Sequence, residues 1–389
     1  MQIVANIDVL AKPFGDFYGQ ITKLLVSRRQ EMIVDADAHY LEDFEILAEY
    51  VAEPMRTKLN NIPRHRVLPA STGDRFIQGR IHRDNMSNYP EKYSTPEEIP
   101  EIMKFLGVDF SVQLPNRMLS MGSTCQRDMA VALAQGYAGY MTDQVVAPDK
   151  NIYAMIIAPI QDPQAAAEII YQYGEHPGIC AVCLITAGPE PPLGDQRYDP
   201  IYRSSEDVGL PIVYHSGGSG IDDFLVEGFQ RFIETHTLGF TIYNMFSLVS
   251  MIVQGVPERF PKLKFIFQES GIFYIPAVMY RLDTEYKKRR SEAPLLKKLP
   301  SEYMLDFYYG TQPIEETPDI RYLQYLFEMI DAPNTLMFAT DFPHWDFDMP
   351  QVITDIPFLG DSDKDKILGG NALEVFRFAG LEKPNGEKL

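Results

Sequence analysis

The stretch ICAVCLI, residues 179–185, consists of apolar residues throughout. Successive side chains of a β-strand point to opposite faces, so a strand with this sequence is buried on both faces. Such strands are typical of parallel sheets that helices cover on both sides. The offset of three residues between Cys180 and Cys183 sends their thiols to opposite faces, which favours a packing role over a metal or redox pair.

Further β-rich runs occur along the whole chain, at 33–38, 109–114, 152–158, 211–215, 263–268, 304–310 and 335–340. Segments with helical spacing separate them, such as STPEEIPEIMKFLG (94–107) and DPQAAAEIIYQYG (162–174), each with a proline near its first turn. Strict alternation of eight strands with helices predicts a (β/α)₈ TIM barrel. We expect the 389 residues to form one domain around this barrel.

Two segments are additional to the eight strand and helix units of a minimal barrel. Residues 1–30 precede the first strand as an N-terminal extension, and residues 59–97 form an insertion after it that is rich in Pro, Asn and Arg. A long loop of this kind is often a lid over a binding site, and surface elaboration or an oligomer contact is the alternative. We expect a homodimer, because closed dimers are the commonest assembly and both segments offer surface for one.

The composition limits the partners of the protein. The net charge is −19 and no long basic run occurs, which argues against nucleic acid. No basic start followed by an apolar block opens the chain, and no stretch of about 20 apolar residues is evident, so we expect a cytoplasmic protein without a membrane contact. A small molecule is the expected substrate.

Polar residues collect where the predicted strands end, and the active site of a TIM barrel lies at that end. The first strand, IVDADAHY (33–40), places Asp35, Asp37 and His39 on one face, and three other strand ends carry His215, Glu269 and Asp341. One such residue alone would be an ordinary helix cap or a satisfied core histidine. Together, their carboxylate oxygens and imidazole nitrogens suit a divalent cation, which would also offset the repulsion between the acids and activate water.

The chain resembles the metal-dependent amidohydrolase superfamily over residues 32–379. The resemblance is to the amidohydrolase-2 branch, which includes the aminocarboxymuconate-semialdehyde and γ-resorcylate-type decarboxylases. DADAH (35–39) is similar to the D-x-H-x-H motif of the first strand, with Asp37 in place of the first histidine. The other similar segments are VYHSGG (213–218), FQESG (267–271), MFATDFPHWD (337–346) and KILGGNALEVFRF (366–378).

The resemblance implies one divalent metal ion, with Zn²⁺ expected and Mn²⁺ as the alternative. The implied ligands are Asp37, His39, His215 and Asp341.

The resemblance also implies a histidine at position 269 in the decarboxylases, whereas this chain has Glu269. A carboxylate with the ordinary pKa of about 4.3 is mostly a base. We therefore expect a metal-dependent hydrolase that uses Glu269 as its base and cleaves a C–N, C–O or activated C–C bond of a small carboxylated or aromatic molecule. Nonoxidative decarboxylation of an aromatic or enoic acid is the alternative, and a catalytically inactive binding barrel is the third. An ion pair with Arg281 is the structural alternative for Glu269.

The remaining candidates lie around this centre. His236 is a candidate for a catalytic role, with a structural role as the alternative. His344 and Asp35 are expected to orient the ligands or neighbouring strands by hydrogen bonds. The candidates for binding an anionic substrate are Arg80, His82 and Arg83, with a solvated basic patch as the alternative.

Overall fold

Eight parallel strands, hydrogen-bonded to one another in chain order, form the central sheet. The computed structural model describes residues 32–61, 68, 95–217 and 228–379. The strands are β1 (Val34–Tyr40), β2 (Phe110–Pro115), β3 (Ile152–Ile157), β4 (Ile179–Ile185), β5 (Ile212–His215), β6 (Phe265–Gln268), β7 (Tyr308–Gly310) and β8 (Leu336–Met337). Each overlaps one of the predicted runs.

Backbone hydrogen bonds join β1 to the segment that follows β8. The N–H of Ala36 donates to the carbonyl of Phe338 (3.0 Å), and that of Asp341 donates to the carbonyl of Asp37 (2.8 Å). The N–H of His39 donates to Phe342 in the same way (2.8 Å). The first and last edges of the sheet therefore meet, which confirms the predicted TIM barrel.

The last two strands are shorter than the predicted runs. β7 begins four residues after the start of the predicted run 304–310, because Met304 ends a short helix. Pro300 suits the first turn of this helix, and the carboxylate of Glu302 accepts a hydrogen bond from the N–H of Leu299 (2.7 Å). β8 ends at Met337, and the chain then leaves the β7 ladder while it stays hydrogen-bonded to β1.

Helices cover the outside of the barrel. Asp162 shows how one begins, since its side chain accepts a hydrogen bond from the N–H of Ala165 (3.1 Å) and Pro163 follows it. The α-helices are α1 (Phe44–Glu49), α2 (Met55–Asn61), α3 (Ile99–Leu106), α4 (Arg127–Tyr140), α5 (Pro163–Tyr173), α6 (Asp199–Val208), α7 (Phe232–Val253), α8 (Val256–Arg259), α9 (Tyr274–Arg289), α10 (Pro300–Met304), α11 (Ile320–Ile330), α12 (Ala332–Thr335), α13 (Gln351–Thr354), α14 (Asp361–Asp365) and α15 (Asn371–Val375).

The strand side chains are buried on both faces, as the apolar runs predict. Every residue of β3 and β4 is buried. Cys180 and Cys183 are free thiols within this core, which confirms their burial. Burial also raises the pKa of both thiols far above the ordinary value, so they remain protonated.

Helix α7 is long and apolar enough, by length and composition, to cross a membrane. It has 22 residues, and 39% of its most apolar window is buried inside the fold. The expectation that no such stretch exists therefore does not hold by this measure, because Ser, Thr and Asn interrupt the apolar run and Glu234 is its one acidic residue. α7 lies between β5 and β6, and it buries Tyr243, Leu248 and Ile252. A core helix of a folded barrel meets the same criteria.

Candidate metal centre

The predicted ligands meet at the carboxyl ends of the strands. Asp37 and His39 lie in the second half of β1, and His215 is the last residue of β5. Glu269 follows β6 directly, and Asp341 lies four residues after β8. All five side chains are buried.

The nitrogen and oxygen atoms of this cluster point at one another. Nε2 of His39 lies 3.3 Å from Oδ1 of Asp37 and 3.0 Å from Oδ1 of Asp341. Nε2 of His215 lies 3.5 Å from the same Asp37 oxygen and 3.5 Å from Oε2 of Glu269. Asp37, His39 and His215 form one group whose ligand atoms all lie within 4.8 Å of one another. His39, Asp341 and His344 form a second such group, and the two groups share His39.

Several buried polar atoms of the cluster have no hydrogen-bond partner among the described residues and could instead bind a cation. Both carboxylate oxygens of Asp37, both ring nitrogens of His215 and Oδ2 of Asp341 are buried and make no hydrogen bond to the described residues. A buried polar atom without a partner costs about 1–3 kcal/mol. Nδ1 of His39 lies 3.2 Å from the carbonyl oxygen of Pro115, so Nδ1 carries the proton and Nε2 of the neutral ring can bind a metal. The residues present therefore fit a divalent cation with mixed nitrogen and oxygen ligands.

Without a metal, a protonated histidine offsets the negative charge of the carboxylates in the cluster. Burial alone would lower the pKa of His39, but the hydrogen bond to Asp341 and the charges of Asp37 and Asp341 raise it to about 9. Burial would raise the pKa of Asp341, but His344 and His39 hold it well below its usual range. A proton on His39 thus supplies positive charge that a metal ion would otherwise supply.

The backbone is strained at two of the strand ends. Glu269 has φ 53° and Asp341 has φ 61°, which is the left-handed region. A residue other than glycine costs about 1–2 kcal/mol there. Such strain is found where a side chain must face a functional site. Here Glu269 and Asp341 each place a carboxylate in the cluster.

Two predicted supporting residues contact the cluster or its strands. Nδ1 of His344 lies 2.6 Å from Oδ1 of Asp341, and its Nε2 lies 2.8 Å from Oδ1 of Asn116. Asp35 accepts hydrogen bonds from the N–H and the hydroxyl of Thr340 (2.9 and 2.6 Å), which ties β1 to the segment after β8. Burial raises the pKa of Asp35 to about 7, against the effect of these hydrogen bonds. Asp35 belongs to neither group of potential ligands.

The structure separates the other candidates from the ligand cluster. His236 lies on α7 with Nε2 3.6 Å from Oδ2 of Asp346, and it packs against Phe232, Phe240 and Trp345. The guanidinium of Arg281 pairs with Glu285 (2.9 Å), one helical turn away. The three predicted substrate-binding residues, Arg80, His82 and Arg83, lie outside the described residues, as do residues 1–30 and most of 59–97.

A cavity of about 200 Å³ opens beside Glu269. His236, Phe240, Gln312, Glu315 and Asp346 are among the residues that line it. Of these five residues, the sequence singles out only His236. Gln312 could have been found, because it lies two residues after β7 and thus near the end of a strand where functional residues collect.

Sequence reasoning also missed a buried chain of hydrogen bonds behind the cluster. The N–H of Thr186 donates to the carbonyl of His215 (3.0 Å), and its hydroxyl donates to Oδ1 of Asn244 (2.9 Å). Nδ2 of Asn244 donates to the carbonyl of Gln268 (2.7 Å), the residue before Glu269. These bonds join the ends of β4, β5 and β6.

The family model described as "Amidohydrolase" matches residues 34–378 of the chain. The chain belongs to the amidohydrolase family. It is therefore an enzyme of the amidohydrolase superfamily.

The amidohydrolase is similar to proteins named for a decarboxylase activity. It is 26% identical over 196 residues to a 2-amino-3-carboxymuconate-6-semialdehyde decarboxylase of Dictyostelium discoideum, a match that covers 50% of this chain and 51% of the relative. The matched part thus spans about half the length of that relative.

Solved structures share the fold of the amidohydrolase. An amidohydrolase of Mycobacterium avium subsp. paratuberculosis superposes with a TM-score of 0.69 at 19% identity, over 89% of this chain and 99% of that one. A 5-carboxyvanillate decarboxylase of Novosphingobium aromaticivorans, solved with manganese and 4-hydroxy-3-methoxy-5-nitrobenzoic acid, superposes with a TM-score of 0.66 at 18% identity, over 90% of this chain and 97% of that one. That decarboxylase structure contains a divalent metal, manganese.

Proposed function

We propose that this amidohydrolase is a metal-dependent nonoxidative decarboxylase of a small aromatic or enoic acid. The observation that carries the proposal is the buried cluster of acids and histidines, which borders a cavity with room for one ring. Two of the three similar proteins are named for decarboxylations, and these names support this alternative better than the hydrolysis expected from Glu269.

The metal would be held by Asp37, His39, His215 and Asp341, with His344 orienting Asp341. When bound, a divalent cation would fix the substrate carboxylate and an adjacent oxygen and draw electron density from the bond that breaks. The donor set accepts Zn²⁺ and Mn²⁺, and the manganese of the 5-carboxyvanillate decarboxylase favours Mn²⁺.

Glu269 is in position to move the proton that the reaction requires. Its Oε2 lies 3.5 Å from Nε2 of His215, and its side chain also lines the cavity. In its acid form Glu269 would give a proton to the carbon that carries the carboxylate. The electron pair of the C–C bond then returns to the substrate as CO₂ leaves, and water returns a proton to Glu269.

The decisive experiment supplies metal-loaded protein with a panel of hydroxybenzoic and enoic acids and measures CO₂ together with the decarboxylated product. We expect equal amounts of both, loss of release with a chelator, and recovery when Mn²⁺ or Zn²⁺ is returned. Glu269→Gln should keep the metal and lose turnover.

Hydrolysis remains a second candidate because Glu269 is a carboxylate, which accepts a proton from water more readily than it donates one. Cleavage of an ester, lactone or amide of the same compounds without CO₂ would favour it. A protein that purifies without metal and gains no affinity for Mn²⁺ or Zn²⁺ would instead be the inactive binding barrel.

A further inference from the structure

We propose that the cavity beside Glu269 selects a single-ring substrate whose end remote from the metal carries a hydrogen-bond donor, a hydroxyl or an amine, and that Gln312 recognises this donor. The inference rests on the proposed function for the orientation of the substrate, with its carboxylate at the metal cluster. It adds that a second carboxylate at the remote end is excluded.

The size and walls of the cavity suit one ring. Its volume is about 200 Å³. An apolar cavity of about 150 Å³ holds benzene, so this space accommodates one six-membered ring with small substituents. Phe240 and Pro313 contribute apolar wall to it, and Glu269 marks the side that adjoins the metal cluster.

Gln312 presents an acceptor that the protein leaves without a donor. The side chain is buried, and its Nε2 donates to the backbone carbonyl of Asp346 (3.3 Å). Because a carbonyl only accepts, this bond fixes which side of the amide is nitrogen. Oε1 is buried and has no hydrogen-bond partner among the described residues. A ligand group that donates a hydrogen bond would satisfy it.

The charges around the cavity disfavour a second anion. Glu269, Glu315 and Asp346 all line it, and no lysine or arginine does so within the described part of the chain. The carboxylate of Glu315 is fixed by the N–H groups of Ile272 and Phe273 (3.0 and 3.3 Å). His236 is the one basic side chain among the described lining residues, and it faces Asp346. A carboxylate placed here would lie among three acids, whereas a hydroxyl or amine would meet acceptors.

The test is a binding measurement that does not depend on turnover. Four benzoic acids that differ only at the position opposite the carboxyl group, with hydroxyl, amino, methoxy or a second carboxylate, are titrated into Mn²⁺-loaded protein by calorimetry. We expect the hydroxyl and amino compounds to bind about 10-fold more tightly than the methoxy compound, which is the effect of one satisfied buried acceptor. The dicarboxylate should bind most weakly.

Variants at position 312 connect the preference to this side chain. Gln312→Met removes the acceptor at similar size and should erase the preference for hydroxyl over methoxy. Gln135→Met, at an exposed position on α4, is the control and should behave like the unaltered protein.

The outcomes separate this inference from the proposed function. A preference that depends on Gln312 in a protein that releases no CO₂ from any acid supports the cavity assignment and contradicts only the decarboxylase. CO₂ release with equal affinity for the hydroxyl and methoxy compounds overturns the cavity assignment alone. Binding of none of the four compounds, or tightest binding of the dicarboxylate, also overturns it.

Discussion

His39 is the residue where metal binding and proton binding compete. Its pKa is raised to about 9 without a metal, so the imidazole holds a proton at neutral pH that a metal ion must displace. Metal affinity should therefore rise with pH, about eightfold between pH 7.5 and 8.5, because close to one proton is released for each ion bound. Asp35, with a pKa of about 7, is largely ionised over this range and adds little.

Calorimetric titration of Mn²⁺ in two buffers of different ionisation enthalpy would measure both the affinity and the proton release. An affinity that does not change between pH 7.5 and 8.5 would show that His39 is already neutral in the metal-free protein. The carboxylates around it would then need another source of positive charge.

Glu269 offers a second test, because its backbone is strained for any residue except glycine. Glu269→Gly should relieve the left-handed φ, whereas Glu269→Gln should keep it. Relief is worth about 1–2 kcal/mol, and the greater freedom of glycine in the unfolded chain offsets about 0.5–1 kcal/mol of it. We expect the glycine variant to unfold at a higher denaturant concentration than the glutamine variant, although neither turns over substrate. The reverse order would mean that this backbone position is not strained.

At the scale of elements, Asn244 of α7 connects the ends of β4 and β6 through two buried hydrogen bonds. Asn244→Ala should lower the free energy of unfolding by about 1–3 kcal/mol, since it removes the side-chain donor to the carbonyl of Gln268 and leaves the hydroxyl of Thr186 only its longer bond to the carbonyl of His215 (3.3 Å). Gln254→Ala, at the exposed C-terminal end of the same helix, is the control and should change it by less than about 0.5 kcal/mol. Equal effects of the two changes in denaturant unfolding would contradict a structural role for Asn244.

The elements of the barrel could be predicted because each strand is a short apolar run and the strands alternate with helices. The candidate ligands could be predicted for a related reason, because acids and histidines at or near the end of an otherwise apolar strand are unusual. Gln312 carries no charge, and the direction of its amide depends on a contact with Asp346 that spacing does not reveal. Asn244 lies inside an apolar helix, and only the packing of α7 against two strand ends gives it a role. The start of β7 was placed too early because Met304 and its neighbours are as apolar as a strand, although Pro300 begins a helix there.

At the scale of the whole molecule, the homodimer stays a prediction. Large apolar side chains are exposed on three helices: Leu238 and Phe246 on α7, Tyr280 on α9, and Tyr322 and Tyr325 on α11. Sedimentation at micromolar concentration would give a mass twice that of the chain if the prediction is right.

The metal centre also connects distant parts of the chain, since Asp37 of β1, His215 of β5 and Asp341 after β8 would share one ion. Binding that occurs only in the folded state should stabilise the whole barrel, by about 2.7 kcal/mol when the metal concentration is 100 times its Kd. His215→Ala should abolish this gain in thermal unfolding. It should leave the metal-free protein folded, because both nitrogens of His215 lack hydrogen-bond partners among the described residues and their removal breaks no hydrogen bond described there. His176→Ala, a change of the same kind at the distant start of β4, is the control that keeps the full response to metal. Stabilisation by Mn²⁺ that survives His215→Ala would place the ion elsewhere and would remove the basis of the proposed mechanism.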